Sequence, residues 1–340
     1  MKNVLINGFG RIGRCVFRNM WERGYADCSY INDPNMTIDN IIYLIKFDSI
    51  YGRFTGNIEK KTEKIIRVSD ERKVWEIFVN NTRQLYDEKE LWDNIHIIVD
   101  ATGNELCAHK SWNYIEKGVG HVIVTNTFYD ADFTYVMGHN DCDFDAKKHK
   151  VISTSICDAN AVIPVISKII ANIGIDFCFV TTLHPWLSYQ NLMDAPVRMQ
   201  RRSGETCDYF PLGRAAVNSL IPKTTTLGAV LQNTFPELEN KLSYFSYRTP
   251  TQMVASAELS IVLSKIVDRA VIEQLLEQCD RNIVSLNQED IISIDCEKQP
   301  YSSIVDMRWI SLEDRYLKLI AWYDNEWGYC SRVVDLINKL

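Results

Sequence analysis

The opening of the chain limits the fold more than any other stretch. Lys2 to Asn7 is a short apolar run of strand character, and it leads straight into Gly8-Phe9-Gly10-Arg11-Ile12-Gly13-Arg14 and then an amphipathic stretch through Arg23. Strand, glycine turn and helix in that order begin a βαβ unit. Gly8, Gly10 and Gly13 satisfy G-x-G-x-x-G, whose glycines permit a tight turn, close approach of a pyrophosphate and close packing of helix on sheet. A second strand pattern, Ser29 to Asn32, ends in Asp33, 20 residues after Gly13. A carboxylate there accepts hydrogen bonds from an adenosine ribose and repels a 2′-phosphate, which favours NAD over NADP. Asp33 also suits a plain turn ahead of Pro34.

Further strands are expected at Ile97 to Asp100 and Val122 to Thr125. The segments that follow, Asp100-Ala-Thr-Gly103 and Thr125-Asn-Thr127, fit loops at the carboxyl edge of a parallel sheet, where a dinucleotide lies. Ile65 to Val68 and Val74 to Val79 read as a hairpin inserted in this domain. From Val151 the pattern changes to one helix and then strand candidates at 177–183, 257–264, 291–296, 303–307 and 316–323, with a helix at 270–279. Such runs suggest an α+β domain with a mixed sheet covered on one face. The expected class is α/β: an N-terminal Rossmann NAD-binding domain at 1–150 and an α+β catalytic domain at 151–323. Between Asn191 and Pro222 lies a long polar loop holding Arg198, Arg201, Arg202 and Arg214.

Cys157, in Val-Ile-Ser-Thr-Ser-Ile-Cys-Asp-Ala-Asn (151–160), stands at the entrance of the apolar helical run 159–173, where the backbone dipole favours a negative sulfur. With His184 in Thr-Thr-Leu-His, it has the parts of a nucleophile and its base. A cysteine taken singly is more often a small buried apolar residue, and this chain has ten. None forms a C-x-x-C pair, so neither a metal site nor a disulfide framework is expected, and reduced thiols in a cytoplasm are the simpler account. The first residues enter a strand pattern directly, leaving no room for a signal peptide. The apolar run 162–173 is short and interrupted, so no membrane span is expected. A net charge of −7 argues against a nucleic-acid surface.

The residues that carry a family likeness run from end to end. They are Ile6-Asn-Gly-Phe-Gly-Arg-Ile-Gly-Arg14, Asn32-Asp-Pro34, Lys46-Phe-Asp-Ser-Ile-Tyr-Gly-Arg-Phe54, Ala101-Thr-Gly103, Val136-Met-Gly138, Cys157 with Asn160, Thr181-Thr-Leu-His184, Pro236-Glu-Leu238 with Lys241-Leu242, and Trp322-Tyr-Asp-Asn-Glu-Trp-Gly-Tyr329. The chain resembles the glyceraldehyde-3-phosphate dehydrogenase family. The resemblance implies a C-terminal helix (324–340) returning to the first domain, and a homotetramer. It implies that Cys157 attacks an aldehyde to give a thiohemiacetal, that His184 takes the hydroxyl proton, and that a thioester remains once hydride has left for NAD. It further assigns Arg11 and Ile12 to the pyrophosphate, Asn325 to the nicotinamide carboxamide, and Arg214, Thr225 and Arg248 to substrate anions.

Departures from the family pattern cluster at the site. The family reads Ser-Cys-Thr-Thr-Asn where this chain has Ile156-Cys-Asp-Ala-Asn160, so two phosphate-binding hydroxyls are missing and Asp158 brings a carboxylate. Leu187 stands where the family has a threonine for the substrate's phosphate, and Thr226 replaces a glycine. Three readings follow: oxidation of a small anionic aldehyde with phosphate or water as acyl acceptor; the ordinary phosphorylating enzyme of glycolysis; and, of another class, an NAD-binding regulatory paralogue.

Overall fold

The computed structural model describes residues 2–87, 92–197 and 209–340. Arg198, Arg201 and Arg202, with most of the segment 203–210, lie outside the described residues. The chain forms two compact units: Met1–Tyr135, Phe144–Thr154 and Cys330–Leu340 make the first, and Val136–Asp143 with Ser155–Tyr329 the second. The crossings fall at 154 and 329, and the short excursion 136–143 was not anticipated.

In the first unit the strand Asn3–Asn7 pairs in parallel with Asp27–Asn32 on one side and Ile97–Asp100 on the other. Val4, Leu5 and Ile6 are fully buried, as a strand covered on both faces requires. Because the chain winds first one way and later the other, the carboxyl end of Asn3–Asn7 is the switch point of the sheet. His121–Val124, Val151–Ser153 and Phe133–Thr134 continue in parallel beyond Ile97–Asp100.

The expected hairpin forms, Ile65–Ser69 antiparallel to Val74–Asn80, and it is continuous with the main sheet. Val74–Asn80 pairs in parallel with Asp27–Asn32, so Ile65–Ser69 and Asn57–Lys60 extend the same sheet. The reason is aromatic: Trp75 packs edge-on against Phe17 and Trp21 of the helix Arg11–Arg23, at ring separations of 5.5 and 4.8 Å. That helix stops at Gly24, whose φ of 69° lets its N–H reach the Met20 carbonyl. Residues of the last helix, Trp327–Lys339, return to this unit. Ser331 meets Asn19, and Lys2 donates to the carbonyls of Ile337 and Asn338.

The second unit is a mixed sheet. Its described strands run in the order Ile221–Lys223, Leu242–Thr249, Ile175–Pro185, Ala255–Leu263, Tyr316–Tyr323, Ser303–Asp306 and Val284–Asn287. The helices Cys157–Asn172, Leu227–Thr234 and Arg269–Glu277 cover one face, where Ile163, Ile166, Leu231 and Leu276 meet Val180, Leu259 and Leu319 in one apolar core. The expected strand 291–296 is instead a short 3-10 helix, Ser293–Cys296, with Cys296 buried. The Asp295 carboxylate accepts from the Ile292 amide at 2.8 Å, and the edge strand is Val284–Asn287. The strand Leu242–Thr249 was not anticipated. Among the described residues no helix is long and apolar enough to cross a membrane.

Gly13 shows how tightly the first unit is built around its turn. A Cβ there would lie 2.1 Å from the Gly8 carbonyl oxygen, backbone that cannot step aside without breaking the turn. Gly13→Ala is therefore expected to destabilise the first unit by about 1–3 kcal/mol. A lower urea midpoint with unchanged slope is the expected reading, and an unchanged midpoint would refute it.

Candidate active site

Ser155 precedes the nucleophile helix in the left-handed region, with φ 57°, and its carbonyl accepts from the Tyr329 hydroxyl at 3.2 Å. Ile156 is extended and offers no side-chain cap, so Cys157 is the first helical residue and the first-turn amides stay available. This end of the helix meets the end of the strand Ile175–Pro185, which carries His184.

Cys157 Sγ lies 3.5 Å from His184 Nε2 and 3.4 Å from Asp158 Oδ1. Asp158 and His184 are each about 5% exposed. The carboxylate is held on both oxygens: Tyr323 donates its hydroxyl to Oδ1 at 2.8 Å, and Thr225 donates to Oδ2 at 3.4 Å. A buried carboxylate loses its hydration, and it persists only where such donors replace the lost water. Its position in the first helical turn adds the favourable end of the helix dipole.

His184 Nδ1 sits 2.8 Å from the Pro185 carbonyl. A carbonyl only accepts, so Nδ1 carries the proton and the Nε2 lone pair faces the sulfur. Burial, reinforced by the positive charge of Arg248, lowers the imidazole pKa to about 4, against the opposing pull of Asp158. The ring is neutral at physiological pH and can accept a proton. Burial also pushes the Cys157 thiol well above its ordinary range, and the neighbouring Asp158 charge pushes the same way; Arg248 and the Asp158 amide only partly offset them. The resting sulfur is therefore a thiol with two acceptors within reach, not the thiolate expected at a helix entrance.

Arg248 is the register partner of His184 on the parallel strand Leu242–Thr249. It is 7% exposed; Nη2 reaches the Tyr189 hydroxyl at 3.4 Å, and Nε is buried with no partner among the described residues. A buried guanidinium so placed is a ready anion site. Thr225 also accepts from the Leu227 amide at 3.2 Å, so Cys157, Asp158, His184 and Thr225 form one connected group, with Arg248 beside His184. Arg214 does not join it: Nε pairs with Asp194 at 2.8 Å on the surface. Leu187 sits in the turn after the histidine strand, its amide donating to Gln190. Asn325 is buried, and its Oδ1 has no partner among the described residues, the condition a bound ligand relieves.

The residues of the first unit expected to meet a cofactor gather at the switch point. Gly8 has φ 89°, and a Cβ there would strike the Ala101 and Thr102 backbone at 2.7 Å, whereas nothing lies within 4 Å of the Cβ position of Gly10. Gly10 leads the helix without a side-chain cap, leaving backbone N–H groups of the kind that hold a pyrophosphate. Asp33 Oδ2 accepts from the Phe9 amide and Oδ1 from Asn35, so the carboxylate braces the glycine turn and still has lone pairs for a ribose hydroxyl. The Arg11 guanidinium pairs with Asp48 at 2.5 Å, which leaves its backbone and that of Ile12 for the pyrophosphate. Thr125 donates its amide and hydroxyl to the Asp100 carbonyl. These residues fit a dinucleotide.

Two participants had gone unnoticed in the sequence. Tyr323 carried a signal, since alternation along Tyr316–Tyr323 places it with Leu317, Leu319 and Ala321 on the core face. Its meeting with Asp158, 165 positions away, did not. Tyr189 lies in a turn and carried none.

Removing the carboxylate should lower the thiol pKa. At neutral pH, below that pKa, each unit of decrease raises the thiolate fraction about tenfold. Asp158→Asn is therefore expected to speed alkylation of Cys157 by iodoacetamide, read by mass spectrometry of the labelled peptide. Slower labelling would instead make Asp158 the base that activates the sulfur.

Comparison with known proteins shows which family the chain is similar to. The family model described as the glyceraldehyde 3-phosphate dehydrogenase NAD binding domain matches residues 2–107, and that of the C-terminal domain matches residues 156–325. The chain is 33% identical to a testis-specific glyceraldehyde-3-phosphate dehydrogenase of Mus musculus, over 99% of this chain and 74% of that protein. It is also 33% identical to glyceraldehyde-3-phosphate dehydrogenase 2 of Bacillus subtilis (strain 168), over 99% and 96%. Identity to glyceraldehyde-3-phosphate dehydrogenase 4 of Caenorhabditis elegans is 32%, over 99% and 98%. With NAD as its cofactor, the chain belongs to the glyceraldehyde-3-phosphate dehydrogenase family.

Proposed function

We propose that the protein oxidises a small anionic aldehyde, similar to glyceraldehyde 3-phosphate, through a Cys157 thioester, and that water rather than phosphate releases the acyl group. The observation that carries this reading is Asp158, a buried carboxylate 3.4 Å from the nucleophilic sulfur that already engages Thr225. By the family resemblance Thr225 serves a phosphate. Here its hydroxyl donates to a carboxylate of the protein's own, and a phosphate dianion brought beside Asp158 would meet like charge in a partly dry site.

The sulfur attacks the aldehyde carbon, the S–C bond forms, and the thiol proton passes to His184 Nε2. The Cys157 amide at the helix start and the protonated imidazole stabilise the oxygen as it gains charge. Once it has given that proton to the oxygen, His184 Nε2, its lone pair directed by the Nδ1 bond to Pro185, takes the hydroxyl proton back as hydride leaves and the thioester forms. NAD, when bound, supplies the acceptor for the hydride, and Gly8, Gly10, Gly13, Asp33 and Thr125 of the first unit would hold it. Asp158 then accepts a proton from water as it attacks the thioester carbon. The C–S bond breaks, the sulfur regains a proton from His184, and the product leaves as a carboxylate after the acid and Asp158 release their protons to solvent. Arg248, buried and with Nε free of a partner among the described residues, would bind the substrate's anionic end.

Aldehyde oxidation followed by NADH absorbance should run at full rate without phosphate or arsenate, and Asp158→Thr should make it depend on phosphate. Strict dependence in the unaltered protein would overturn the water reading. Absence of any NADH burst, with Cys157 inert to alkylation, would favour the regulatory paralogue.

Self-association follows from the uncovered face of the second unit's sheet. Phe179 is 51% exposed, Leu183 44% and Phe245 43%, and they share one face of paired strands. Large contiguous apolar surface of this kind marks an interface. Sedimentation of the wild type is expected to give a tetramer and Phe179→Asp with Phe245→Asp a smaller species; a wild-type monomer would refute this.

A further inference from the structure

We propose that Cys157, Asp158 and His184 form a three-ligand site for a zinc-type divalent cation, with a fourth position open to water or a small anion. In a tetrahedral zinc centre with Zn–S of about 2.3 Å and Zn–N of about 2.0 Å, sulfur and nitrogen are about 3.5 Å apart. Cys157 Sγ and His184 Nε2 are 3.5 Å apart, and Sγ and Asp158 Oδ1 3.4 Å. The three ligand atoms lie within 4.8 Å of one another, so a small contraction closes the set.

A second observation points the same way. Metal-bound imidazoles characteristically donate their other N–H to a carboxylate or backbone carbonyl, which fixes the tautomer and aims the lone pair. His184 does this through Pro185 O at 2.8 Å. The carboxylate is likewise oriented from outside, by Tyr323 on Oδ1 and Thr225 on Oδ2. Ligand spacing in sequence carried no hint of this, because two ligands are chain neighbours on a helix and the third comes from a strand. Three protein ligands and an open fourth place are the arrangement of catalytic rather than structural zinc.

Charge decides the chemistry of the occupant. Binding releases the thiol proton to solvent, and the thiolate and the carboxylate then neutralise a dication. Arg248 opposes a cation here, and an anionic fourth ligand would offset it. Once the sulfur is coordinated its lone pair is committed, so metal and aldehyde exclude one another and the cation acts as a reversible inhibitor. This inference does not need the proposed turnover to be right, because metal binding is read without substrate.

The test uses the full reduced chain. Cobalt(II) serves as the spectroscopic probe, and zinc affinity is measured by competition with a chromophoric chelator. One equivalent of cobalt should give tetrahedral ligand-field bands with thiolate charge transfer, and Cys157→Ser should abolish the charge transfer. Asp158→Thr should weaken zinc by about 10–100-fold, the scale on which such sites respond even to losses around the ligands. In the unaltered protein, zinc should protect Cys157 from iodoacetamide while the exposed Cys142 still reacts. Charge transfer surviving Cys157→Ser, zinc affinity unmoved by Asp158→Thr, or Cys157 labelled at the same rate under saturating zinc would each overturn the site.

Discussion

A buried carboxylate beside a nucleophilic sulfur governs this site. Removing Asp158 from water carries a cost of several kcal/mol that only nearby donors can offset. The protein supplies them from three distant elements: a tyrosine on the fifth strand of the sheet order, a threonine before a short helix, and the helix entrance itself. The same anion raises the thiol pKa, engages a hydroxyl that the family likeness assigns to phosphate, and gives the imidazole a competitor for the thiol proton. Thiol, threonine and imidazole are thus all tied to one residue's solvation.

Much of the fold was legible because it rests on local rules. The glycines of residues 8–13 announce a turn whose geometry only they tolerate, and strands such as Ile97–Asp100 follow from continuous apolar runs between turn signals. The misread elements are those that distant partners decide. Ile291 to Cys296 is as apolar and β-branched as many strands, yet Asp295 captures the Ile292 amide and Val284–Asn287 takes the edge. The hairpin 65–79 was legible, but its place in the main sheet was not, because Trp75 meets Phe17 and Trp21 in a contact that no local pattern encodes.

The candidate site divides in the same way. Cys157 and His184 were visible from residue type and setting, and Asp158 from its departure from a known pattern. Its tyrosine partner was not, nor was the state of the sulfur. A helix entrance favours a thiolate, but burial and a neighbouring anion outweigh the dipole. The balance of these effects belongs to the packed interior and has no counterpart in a string of residues. Arg214 shows the reverse case, a residue matched by likeness whose charge is spent on Asp194 at the surface.

The in-register pairing of His184 with Arg248 makes the site an all-or-nothing feature. Side chains alternate along a strand, so a one-residue slip of Leu242–Thr249 would turn Arg248 to the opposite face and expose Ser246 and the other residues now directed inward. The charge that adds to burial in keeping the imidazole neutral is therefore tied to the register that fills the core. Small insertions or deletions in either strand cannot detune the chemistry by degrees; they remove the arginine and breach the core together. Gradual change in specificity has to come from substitutions such as the one at position 158, which leave the strands in register.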